Sequence, residues 1–131
     1  MDKDYLVIEK GFTTTECAGF GNGIVIGRGV KLGDNIKIGN WSKIYCDSEI
    51  GSNTVIGQSC LLLKGAKLGE GATIDDNSVM ENNSEVMNMN LCKKSHVIEN
   101  TKLTSDSVFD HKVLENGGKI YFTKRTYWYQ T

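Results

Sequence analysis

Residues 44–74 read IYCDSEIGSNTVIGQSCLLLKGAKLGEGATI, with Ile44, Ile50, Ile56, Leu62, Leu68 and Ile74 standing six positions apart. Followed outward, the period holds from Phe20 to Ile98: Phe20, Ile26, Leu32 and Ile38 precede the run, and Met80, Val86, Cys92 and Ile98 follow it. Two places before the apolar residue, nine of fourteen hexads carry Ala, Ser, Thr or Cys, and one place after it seven carry glycine. Three places after it, nine of thirteen complete hexads carry Gly, Asn or Asp, the residues that accept positive φ at a tight corner.

A period of six decides between the secondary structures. On an α-helix, six steps of about 100° turn the chain by about 240°, so three stripes form and no single face is buried. A Gly or Asn in every hexad would also cost a helix roughly 0.5–1 kcal/mol each time. An unbroken strand of this length is far outside the normal range. Short strands separated by corners satisfy the pattern, with the small and the apolar residue of each hexad pointing inward and their neighbours outward. Three hexads then close one triangular coil, and successive coils stack at about 4.8 Å. The predicted fold is all-β, a parallel β-helix over 18–98, preceded by an N-terminal strand or cap at 1–17 and followed by a C-terminal β-element at 99–131.

Hexads such as Ile56-Gly57-Gln58-Ser59-Cys60-Leu61 and Leu68-Gly69-Glu70-Gly71-Ala72-Thr73 resemble the hexapeptide-repeat superfamily, the left-handed parallel β-helix of bacterial acyltransferases. The resemblance implies a homotrimer that binds substrate and acyl-CoA in grooves between subunits. It also implies a histidine, outside the coils or on an extruded loop, as general base toward an acceptor hydroxyl or amine. This chain departs from that pattern. No histidine occurs before His96, and the even spacing leaves no extruded loop. The histidine-rich metal site of carbonic anhydrases with the same fold is missing for the same reason.

Residues eighteen apart should lie above one another. Lys31, Glu49, Lys67 and Glu85 then form a ladder of alternating charge on one face, and Lys37, Val55, Thr73 and Leu91 a mixed second face. The third face carries Val25, Lys43, Tyr45, Leu61, Leu63, Val79, Glu81, Val97 and Glu99, mostly apolar or aromatic and directed outward. A patch of that kind marks a contact, with a neighbouring subunit or with the chain's own C-terminal tail. Val25, Leu61, Leu63, Val79 and Val97 are assigned to an interface, and Lys43, Tyr45 and Glu81 to ligand binding. Kept in strict phase, Asn90, Cys92 and His96 point inward, which leaves His96 without an evident carboxylate partner.

The tail concentrates aromatic residues. Val113-Leu114-Glu115 and Lys119-Ile120-Tyr121-Phe122 flank Asn116-Gly117-Gly118, a hairpin signal, with a further strand at 126–130. The tail either caps the last coil and the edge it exposes or, through Lys124, Arg125, Tyr127 and Trp128, offers cations and stacking faces to a nucleotide-like ligand.

Composition narrows the remaining classes. Fifteen basic against sixteen acidic residues argue against nonspecific nucleic-acid binding. No apolar run approaches the roughly 20 residues of a membrane span, and Met1-Asp2-Lys3-Asp4-Tyr5 does not read as a secretion signal, so a cytoplasmic protein is expected. Cys17, Cys46, Cys60 and Cys92 form no CxxC pair and indicate neither zinc nor a disulfide framework. With no outward histidine on the coils, the expected function is a non-catalytic β-helix that binds a small, nucleotide-like ligand between subunits of a homo-oligomer. The alternatives are an acyltransferase using acyl-CoA as co-substrate and His111 in the tail as base, and a purely structural assembly module.

Overall fold

In the computed structural model, residues 5–87, 90–91, 95–104, 119–121 and 128–130 are described, with side chains at 5–87 and 95–103. The described chain is all strand, corner and turn. Its first three strands, β1 (Tyr5–Ile8), β2 (Phe12–Thr13) and β3 (Ala18–Gly19), run once around the prism. A turn closed by hydrogen bonds from the Phe20 N–H to the Ile24 carbonyl and from the Ile24 N–H to the Gly21 carbonyl, both 2.9 Å, then reverses the direction. Regular coils follow. The first holds β4 (Val25–Ile26), β5 (Lys31–Leu32) and β6 (Ile36–Gly39), and the second β7 (Lys43–Ile44), β8 (Glu49–Ile50) and β9 (Val55–Ile56). The third holds β10 (Leu61–Leu62), β11 (Lys67–Leu68) and β12 (Thr73–Ile74), and the fourth β13 (Val79–Met80), β14 (Glu85–Met87) and β15 (Asn90–Leu91). β16 (His96–Val97) and β17 (Lys102–Thr104) belong to a fifth.

Three sheets result, ordered β1-β6-β9-β12-β15, β3-β4-β7-β10-β13-β16 and β2-β5-β8-β11-β14-β17, and all pairs beyond the first coil are parallel. This is the expected β-helix. The N-terminal strands instead pair antiparallel, Tyr5 opposite Gly39, Phe12 opposite Leu32 and Ala18 opposite Ile26. The reversed coil covers the edge that the first regular coil would otherwise present to other chains. Ala18 and Phe20, which the hexad phase assigns to the repeat, therefore belong to this cap. Ile8 and Thr14 continue the interior beneath it, 7% and 6% exposed.

The interior is a single column stack. Ile26, Ile38, Ile56, Leu62, Ile74, Met80 and Val86 are fully buried, each worth about 1.5–3 kcal/mol relative to exposure. The small residues inside are satisfied locally: Ser42 Oγ donates to the Gly57 carbonyl at 2.7 Å and Ser84 Oγ to the Glu81 carbonyl at 2.7 Å. Corners take positive φ at the third residue after each interior aliphatic, as at Asn35, Asp47, Asn53, Asn77 and Asn83. Trp41 adopts it too, at φ 68°, with its indole lying over Gly23, where any Cβ would collide with the ring.

The strict six-residue phase fails in the last coils. Thr73 pairs with Asn90, Val79 with His96 and Glu85 with Lys102, each seventeen positions on, whereas Lys67 still pairs with Glu85 eighteen on. The repeat is therefore one residue shorter between the Lys67–Glu85 and Thr73–Asn90 pairings. Val97, expected outward at the interface, is interior and 2% exposed, and Ser95 and Leu103 are buried with it. His96, expected inward, faces out. Ile98, expected inside, is partly exposed, and the register sets Leu91 rather than Cys92 beside Ile74. The shift is favourable because it puts Val97 and Leu103 in the core and spares an imidazole from unpaired burial, a cost of about 1–3 kcal/mol. In the tail, β18 (Lys119–Tyr121) pairs antiparallel with β19 (Trp128–Gln130). The partner strand expected at 113–115 lies outside the described residues.

Candidate functional site

Two outward columns run along the sheet β3-β4-β7-β10-β13-β16. The first is Val25, Lys43, Leu61, Val79 and His96, set in register by consecutive parallel pairs. The second, two residues further along each strand, is Gly27, Tyr45, Leu63, Glu81 and Ile98. Val25, Leu61, Leu63 and Val79 are partly exposed and stay on the outer surface, whereas Val97 leaves the interface set for the core.

The register shift brings His96 diagonally across from Glu81. His96 Nε2 lies 2.6 Å from Glu81 Oε2, and the two side chains keep 29% and 33% of their surface exposed. Glu81 Oε1 accepts the N–H of Glu99 at 3.0 Å, so the carboxylate is held from both ends. The backbone beneath is fixed as well: the Glu81 N–H donates to the Val97 carbonyl at 2.9 Å. In the tautomer in which Nε2 donates to the carboxylate, the ring lone pair sits on Nδ1. A partly exposed ring oriented by a carboxylate has the chemistry to serve as a general base. Sequence reasoning assigned Glu81 to ligand binding and turned His96 inward. The pair became visible only with the seventeen-residue coil.

At the other end of the same face is a cavity of about 580 Å³ between the segment Thr15–Cys17 and the second coil. Lys43 and Tyr45 line it with Val25, Gly27, Arg28 and Cys46. The structure thus places Lys43 and Tyr45 together, and Glu81 apart from them with His96. Cys60, deep inside, is inert: burial pushes its thiol up to about 11. His111, Lys124, Arg125 and Tyr127 lie outside the described residues, and Trp128 is described only as part of β19. Among the described residues no group of three or more His, Cys, Asp or Glu is placed to hold a metal, and no helix is long and apolar enough to cross a membrane.

Residues 29–64 match the family model described as bacterial transferase hexapeptide (six repeats). No curated protein sequence matches the chain. Among solved structures, a histidine-to-asparagine mutant of perosamine N-acetyltransferase from Caulobacter crescentus, in complex with CoA and GDP-perosamine, is similar with a TM-score of 0.52 at 16% identity, over 72% of this chain and 52% of that one. PerB from Caulobacter crescentus, in complex with the same two molecules, gives a TM-score of 0.44 at 16% identity, over 70% of this chain and 53% of that one. The chain thus spans about half the length of these structures. At such identity the likeness to the first of these structures is one of fold, and the family match falls within the regular coils.

Proposed function

We propose that this hexapeptide-repeat β-helix is an acyl-CoA-dependent acyltransferase whose general base is His96, oriented by Glu81. The observation that carries the reading is the 2.6 Å contact between His96 Nε2 and Glu81 Oε2 on the outer face of the coils. It supplies the outward coil histidine that the sequence in strict phase lacks, and it displaces His111 as the candidate base.

In this reading the acceptor hydroxyl or amine donates its proton to His96 Nδ1 as its oxygen or nitrogen attacks the thioester carbonyl. Glu81 stabilises the imidazolium that forms and keeps the ring from turning. Collapse of the tetrahedral species breaks the carbon–sulfur bond, and the proton held by His96 passes to the departing thiolate. The products are the acylated acceptor and free CoA. The apolar residues Val25, Leu61, Leu63 and Val79 along the face that carries this pair support a second subunit, in a trimer by family expectation, as the opposite wall of the groove.

Free CoA released from acetyl-CoA, separated by chromatography, tests the reading across a panel of amino and hydroxyl acceptors. His96→Ala should lower turnover by about 10²–10⁴, while His111→Ala leaves it unchanged. Turnover that survives His96→Ala removes the assignment. Ligand binding without chemistry is the second reading, supported by the cavity around Lys43 and Tyr45, and it gains if no acceptor is acylated.

A further inference from the structure

The cavity at the N-terminal end of the apolar face has a cause in the outer columns. Tyr45, Leu63 and Glu81 succeed one another up one column, but the place beneath Tyr45 is Gly27. A Cβ at Gly27 would lie 2.8 Å from the Cys46 nitrogen, so the coil geometry keeps that place empty of side chain. The hollow is therefore part of the fold. Its walls combine three chemistries. Tyr45, 45% exposed, lines it with the apolar Val25 and with Gly27. Arg28 and Lys43 stand at the rim, and among the described residues neither is engaged in an ion pair. Glu16, from the N-terminal segment, also lines the cavity.

We infer that this cavity is a nucleotide subsite. A planar base stacks on Tyr45 beside Gly27, and its phosphate is held by Arg28 and Lys43. Stacking of a base on an aromatic ring is worth about 1–3 kcal/mol, and a cationic pair with no internal partner recognises phosphate without breaking an existing bridge. The Glu16 carboxylate, an acceptor only, suits the amino edge of a base. A cavity of about 580 Å³ is within the usual range for a ligand of this size. The subsite has a fixed relation to His96. Lys43, Leu61, Val79 and His96 follow one another on adjacent strands, so three steps of about 4.8 Å set the phosphate site about 14 Å from the imidazole. A nucleotide seated there can direct a reactive arm of that length along the apolar column to the base. The nucleotide belongs either to the acyl-CoA donor or to a nucleoside-diphosphate acceptor.

Binding itself is independent of the proposed acyl transfer, and only the source of the nucleotide rests on that reading. Isothermal titration of the purified protein with adenosine 3′,5′-bisphosphate and with GDP and UDP provides the test. At least one should bind saturably. Tyr45→Ala and the double variant Arg28→Ala/Lys43→Ala should each weaken that nucleotide by about tenfold or more, the loss of one stacking or charge contact, while His96→Ala should bind as well as the parent. Circular dichroism checks that the variants fold. If no nucleotide saturates at millimolar concentration, or the folded variants bind like the parent, the subsite is overturned. Preference for the bisphosphate, with KM for acetyl-CoA raised in the Lys43→Ala variant, assigns the subsite to the donor. Preference for GDP or UDP, with KM raised for the acceptor, assigns it to the acceptor. Nucleotide binding that persists while no acceptor is acylated leaves the subsite standing and removes only the acyl-transfer reading.

Discussion

Both carboxylate oxygens of Glu81 are engaged, Oε2 by His96 and Oε1 by the N–H of Glu99. In Glu81→Gln one position still accepts, but the charge that favours the imidazolium is gone. Turnover should fall by about 10–10², less than for His96→Ala, with KM for acetyl-CoA little changed, since a group acting through another residue affects the chemical step more than binding. An equal fall in turnover and rise in KM would instead make Glu81 a substrate contact. The interior holds a second titratable residue with a different consequence. Burial, with a smaller contribution from Asp76, pushes the Cys60 thiol from its ordinary 9.0 to about 11. Above pH 9 the unfolded chain releases this proton and the folded chain keeps it until about pH 11. The folded state then binds more protons, and stability falls as pH rises through that window. Denaturant midpoints measured between pH 8 and 11 should decline less steeply in Cys60→Ala than in the parent, whatever the offset from the lost sulfur.

At the scale of the element, the seventeen-residue coil decides which residues are core. Val97→Asp should destabilise by several kcal/mol, because it buries a charge without a partner, whereas Ile98→Asp should cost less than about 1 kcal/mol at a partly exposed place. Strict six-residue phase predicts the reverse order, so thermal melts of the two variants separate the registers. The sequence held the information in a form that apolar periodicity overlooks. Ser95-His96-Val97 and Thr101-Lys102-Leu103 repeat the small, outward, aliphatic order of the earlier hexads one residue early, and Lys102 extends the charge ladder beside Glu85. Cys92 and Ile98 are apolar by coincidence of spacing and carry the old phase past the break. The corners were legible because Asn and Gly favour positive φ, but Trp41 was not, since nothing in an indole's chemistry prefers that conformation. The Glu81–His96 pair was illegible for the same reason as the register: a one-residue change reverses which side of the strand each group occupies.

For the whole molecule, the apolar outer face is the main feature left uncovered by the described residues. Leu61→Lys combined with Leu63→Lys should lower the molar mass seen by light scattering if this face joins subunits, and activity should fall with it if the groove needs both walls. An unchanged mass would remove the face from the interface. The reversed coil at the other end bears on how the molecule is made. Tyr5 meets Gly39 and Phe12 meets Leu32, so a nascent chain can close its first end once residue 39 has left the ribosome. Each later coil then finds a finished template waiting, and its contacts reach back only one turn, which favours stepwise growth in the order of synthesis. His96 lies on the fifth coil. A chain halted after the fourth would already be a capped prism carrying the cavity beside Tyr45, and it would lack His96, the proposed base: the scaffold is in place before the residue on which the proposed chemistry depends.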